Sequence, residues 1–151
     1  MKTSSKIWVS AARYALGAIF FVFGLNGFLQ FLPAPPMPEA AGRFAMALFG
    51  TGYMFPLIKA TEIVAGLLLL SGRFVPLALA LLAPVVVNIV AFHAFLAPAG
   101  LAVPILVLAA ELYLAWSYRD AFAPMLRSSV APSVRPEPAA TSSDTRARAT
   151  A

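Results

Sequence analysis

The sequence predicts an all-α membrane protein: a four-transmembrane-helix up-down bundle with a short interfacial helix between spans one and two. Three observations lead there. The chain is 61% hydrophobic and only 11% charged, with a mean hydropathy of +0.85, whereas a soluble domain carries about a quarter charged residues. Four apolar stretches long enough to cross a bilayer are separated by breaks rich in proline or glycine. The basic residues collect on one side of those stretches, which is the distribution that sets orientation in a membrane.

The first span is expected over residues 14–32, behind Lys2, Lys6 and Arg13. It exceeds the roughly 7 to 15 apolar residues of a signal peptide and no small-x-small cleavage site follows, so it reads as an uncleaved span. Gly17, Gly24 and Gly27 would let a neighbouring helix approach closely. Pro33, Pro35, Pro36 and Pro38 then end the helix. Over residues 39–51, Ala41, Phe44, Ala45, Leu48 and Phe49 recur at helical spacing with Glu39 and Arg43 offset, the pattern of an interfacial helix. Span two covers residues 55–71, with Pro56 in the first turn where a missing N–H costs little. Gly72-Arg73 turns the chain into span three, residues 74–96, where Pro84 predicts a kink. A second short turn at Ala97-Pro98-Ala99-Gly100 leads to span four, residues 101–118, so spans two to four are antiparallel neighbours.

The membrane domain thus occupies residues 14–126, preceded by a cytoplasmic N-terminus, 1–13. Residues 127–151 form a Ser-, Pro-, Ala- and Arg-rich tail expected to be disordered and cytoplasmic. With four spans, nine of the eleven basic residues fall on the side of both termini and only Arg43 on the other, which makes the termini cytoplasmic. The net charge of +5 has no aromatic-interleaved basic face, so nucleic acid is excluded as a partner. With no cysteine, disulfides, CxxC redox pairs, iron–sulfur ligation and covalently attached haem are all excluded. One histidine, His93, rules out a three-histidine metal site. No metal and no covalent cofactor is expected; any electron carrier must diffuse in or belong to a partner.

Polar residues inside the spans are the candidate functional groups. Lys59 and Glu62, three residues apart on span two, share one helix face. Two mid-helix charges cost roughly 5 to 7 kcal/mol on the insertion scale, while the nine Leu, Ile, Val and Phe residues of that span return about 3 to 5. The pair must therefore face the bundle, or Lys59 must snorkel outward while Glu62 finds another partner. At about 1.5 Å per residue, Asn26, Glu62, Asn88 and Glu111 lie roughly 9 to 15 Å below the outer ends of their spans. One polar residue per helix thus reaches the outer half of the bilayer, with Gln30 and His93 closer to the mouth. These residues either satisfy one another as helix–helix glue or line a small cavity that handles a ligand or proton.

Phe55-Pro56-Leu57-Ile58-Lys59-Ala60-Thr61-Glu62-Ile63-Val64-Ala65-Gly66, leading into Gly72-Arg73-Phe74-Val75-Pro76-Leu77-Ala78, resembles the DoxX family. Asn26-Gly27-Phe28, Ala83-Pro84-Val85-Val86-Val87-Asn88, Phe92-His93-Ala94-Phe95-Leu96 and Tyr118-Arg119-Asp120 extend the resemblance across residues 13–126. It implies a four-helix bacterial inner-membrane protein, with relatives linked to quinone-coupled sulfur oxidation and to complexes that counter oxidative stress. The expected function is then a membrane subunit, non-catalytic in itself, that binds a quinone-like molecule or docks a redox partner. In that reading Glu62 and Glu111 handle a proton, Lys59 bonds a carbonyl or pairs with Glu62, and Asn26, Asn88 and His93 line the site. A small proton-coupled carrier, which would need protomers to assemble into a homo-oligomer, and a structural assembly factor are the alternatives.

Overall fold

The computed structural model describes residues 3–33 and 36–129, all of them helix, turn or loop. The chain runs through α1 (Thr3–Leu29), α2 (Glu39–Gly50), α3 (Met54–Ser71), α4 (Val75–Leu96), α5 (Ala102–Ser117) and the short α6 (Arg119–Phe122). Three stretches are long and apolar enough to cross a membrane, Lys6–Leu29, Met54–Ser71 and Val75–Leu96, while α5 is shorter. The expected tail lies, beyond Ser129, outside the described residues.

Local chemistry places the breaks. The Asn26 side-chain oxygen accepts from the Leu32 backbone N–H at 2.7 Å, and Gln30 turns left-handed at φ +51°, which ends α1 before the prolines. Gly72, at φ +70°, closes α3 in the left-handed conformation that glycine adopts most readily. Phe74, at φ +54°, then leads into α4. A single 3₁₀ turn, Pro98–Gly100, reverses the chain into α5. At the other end α1 starts well before the expected span, at Thr3, because nothing between Ser4 and Arg13 breaks a helix.

The α1–α3 pair packs most extensively. It is antiparallel: Gly17 lies against Leu69, and Gly24 against Ile63. A Cβ at Gly66 would sit 2.7 Å from the Phe21 backbone nitrogen, so here the two backbones are in contact. Helices α4 and α5 complete the bundle, α5 packing against both α4 and α1. Leu16, Phe20, Leu69, Leu82, Val86 and Leu114 form the centre of its core. At the base, the Arg13 guanidinium donates to the carbonyls of Leu69 and Leu70 in the last turn of α3. A cation there satisfies orphan carbonyls and complements the negative end of the helix dipole.

Candidate functional site

Helix α4 shows two faces. Val75, Ala78, Leu79, Leu82 and Val86 are buried in the core, whereas Pro84, Val85, Asn88, Ile89, Phe92 and His93 line a groove of about 540 Å³. The opposite wall comes from α3, through Met54, Phe55, Ile58, Lys59 and Glu62, and α2 adds Phe44, Ala45 and Leu48. The groove is half open along the flank of the bundle, and Asn88 on its edge is exposed.

Helix α2 bridges the two walls with aromatic contacts. Phe49 stacks on Phe55 of α3 at a centroid distance of 3.9 Å, and Phe44 meets Phe92 of α4 at 5.8 Å. Phe92 in turn makes an edge-on contact with His93 at 5.2 Å. The opposite side of α2 carries an exposed Glu39–Arg43 pair. Apart from His93, the residues of this aromatic end are not among the candidate site residues read from the sequence. The only signal of this end was the apolar spacing of Phe44, Ala45, Leu48 and Phe49.

The polar groups of the groove include an ion pair on α3. Lys59 Nζ stands 2.8 Å from Glu62 Oε2, with side chains 19% and 4% exposed, so Lys59 does not snorkel away. The ammonium also lies 5.7 Å from the centroid of the Phe55 ring. Asn88 donates through Nδ2 to the Pro84 carbonyl at 2.8 Å, and among the described residues no donor occupies its side-chain oxygen. His93 Nδ1 lies 2.8 Å from the Ile89 carbonyl. A carbonyl only accepts, so Nδ1 carries the proton.

Lys59, Glu62, Asn88 and His93 are thus brought together in one groove, and two expected site residues are not. Asn26 spends its side-chain oxygen on the end of α1. Glu111 belongs to the buried stripe of α5, with Pro104, Val107 and Leu114. Its Oε1 has no hydrogen-bond partner among the described residues, and it is not part of the groove wall. No group of three or more His, Asp or Glu side chains that could hold a metal assembles among the described residues.

Chemically, the groove offers an apolar slot edged by aromatic rings, an ammonium donor, a carboxylate and an amide acceptor. That set suits a flat apolar molecule with polar oxygen atoms. Among known proteins, no curated sequence and no solved structure matches the chain. The sequence model of the DoxX family matches residues 8–94, more than half of the chain, from α1 to the groove wall of α4. By that match the protein is a membrane protein belonging to the DoxX family.

Proposed function

We propose that the protein is a four-span subunit of the bacterial inner membrane that binds a quinone-like molecule in the α3–α4 groove. The observation that carries this reading is the convergence of Lys59, Glu62 and Asn88 with three phenylalanines from three helices around one groove on the bundle flank. A molecule dissolved in the bilayer reaches such a groove sideways, without crossing water. The slot between Phe44, Phe55 and Phe92 holds the ring, Lys59 donates to a carbonyl oxygen, and Glu62 exchanges a proton at that oxygen. A quinone, when bound, takes up electrons and protons at its carbonyl oxygens. The electrons come from a partner redox protein, because a chain without cysteine and with one histidine has few ligands for a redox centre of its own. Glu111 is a second internal carboxyl group, available to store a proton.

In this reading α5 is the fourth span and α2 lies in the outer interface over the groove. At about 1.5 Å per residue α5 is roughly 24 Å long, a few ångströms short of the hydrocarbon core, and α6 continues it at the basic end. Trp8 and Trp116, 67% and 70% exposed, are placed at that end as interfacial aromatics. Both termini are then cytoplasmic, and a reporter active only outside the membrane, fused after Arg127, should be silent. A strong signal would reverse the orientation.

The ligand reading is tested by titrating the purified protein with decylubiquinone, a short-tailed quinone. Saturable binding is expected, weakened about tenfold or more by Glu62→Gln. Equal binding by the variant, or none by the wild type, would contradict the proposal.

A further inference from the structure

The three glycines of α1 meet α3 in different ways. A Cβ at Gly17 would lie 3.0 Å from Leu69 Cβ and 3.1 Å from the Gly66 carbonyl oxygen. At Gly24 it would lie 2.8 Å from Ile63 Cγ1 and 3.0 Å from the Ile63 backbone nitrogen. Both positions serve the approach of one helix to another. At Gly27 the three nearest atoms all belong to one flexible side chain: Lys59 Cδ and Cγ at 2.5 Å, and Cε at 3.1 Å.

We infer that Gly27 is a positioning residue for the Lys59–Glu62 pair, a notch in α1 that takes the aliphatic stem of the lysine. This rests on the reading of those two residues as the polar end of a ligand site. Lysine has four rotatable bonds, and near a helix end in a bilayer it tends to reach for the interface. Lys59 is in the second turn of α3, close enough to that end to do so. With its stem seated at Gly27, the ammonium instead stays 2.8 Å from Glu62 Oε2 and lines the groove. A methyl group at position 27 would lie only 2.5 Å from Cγ and Cδ, closer than non-bonded carbon atoms approach. The stem would have to swing out, leaving a carboxylate that is 4% exposed without its cation.

The inference separates a side-chain notch from ordinary helix packing, and the test uses that difference. Gly27→Ala is made in two backgrounds: the natural chain, and Lys59→Ala with Glu62→Gln, where the stem is gone. In the natural chain it should lower the melting temperature in detergent by roughly 3 to 10 °C. In the second background it should cost nothing. Gly24→Ala, the packing control, should cost about the same in both. Should Gly27→Ala fail to fold in the natural chain yet fold in the second background, that is the expected result in extreme form. An equal loss in both backgrounds, or failure to fold in both, overturns the notch.

The second readout is decylubiquinone affinity. Gly27→Ala should weaken it about tenfold in the natural chain, with no further loss in the second background. If the natural chain does not bind this quinone, the ligand reading falls and the stability comparison alone decides the role of Gly27.

Discussion

Lys59→Met is expected to destabilise the protein more than Lys59→Met combined with Glu62→Gln. The single change keeps an aliphatic stem for the notch at Gly27 but removes the ammonium 2.8 Å from Glu62. It strands a carboxyl group whose side chain is 4% exposed. Removing one partner of a buried pair costs about 3 to 5 kcal/mol, whereas replacing both by neutral groups of similar shape is often close to neutral. Lys59 is 19% exposed and keeps some access to its surroundings, so the lower end of that range, about 3 kcal/mol, applies. A double-mutant cycle of thermal stability in detergent gives the coupling directly. Strict additivity of the two single changes would mean that the pair does not interact.

Gly66→Ala should show the second largest loss. A Cβ there would lie 2.7 Å from the Phe21 nitrogen, 2.9 Å from the Gly17 carbonyl oxygen and 3.0 Å from Phe21 Cα. All three are backbone atoms, so no rotamer change relieves the contact and α1 must move away from α3. Against this, alanine gains about 1 kcal/mol over glycine in a helix interior. Overpacking costs roughly 1 to 3 kcal/mol, with the upper end expected where backbone cannot yield, and so the steric term wins by about 2 kcal/mol. At Gly42 of α2 a Cβ would meet nothing, and Gly42→Ala should be neutral or stabilising in the same melting experiment. Equal stability of the Gly66 variant and the wild type would show that the helix pair is not close-packed.

Most helix boundaries were legible because strong punctuation sets them. Pro33 to Pro38, Gly72 and the Pro98–Gly100 turn place α2, α3, α4 and α5 within about a residue of expectation. The start of α1 was not legible. The charged residues Lys6 and Arg13 suggest where lipid gives way to water, but the helix continues through both as readily as through leucine. The role of Arg13 as a cap on α3 was likewise hidden, since its partners are carbonyls 56 and 57 residues away in sequence.

The polar layer was legible in part for a geometric reason. Rise per residue gives the depth of a side chain but not its azimuth around the bundle. Asn26 lies two residues after Gly24 and one before Gly27, the residues that face α3. A step of one residue turns the side chain by about 100°, so Asn26 points away from the Lys59 side and folds over the end of its own helix. Glu111 sits on the inward face of α5, which packs against α1 and α4 rather than opening on the groove. Lys59 and Glu62 pair as their three-residue spacing on one face implies. The aromatic end was missed because an amphipathic helix reads the same in sequence whether its apolar face rests on lipid or on a protein groove.

The most direct measurement of ligand binding in the groove is photolabelling with a quinone analogue that carries its reactive group on the ring. The labelled protein is digested and the modified peptides are mapped by mass spectrometry. Labels are expected on α3 around Phe55 to Glu62 and on α4 around Pro84 to His93, with competition by unlabelled decylubiquinone and loss of labelling in Glu62→Gln. Labels confined to α1 and α5, or spread over the lipid-facing surface without competition, would contradict the groove as a quinone site.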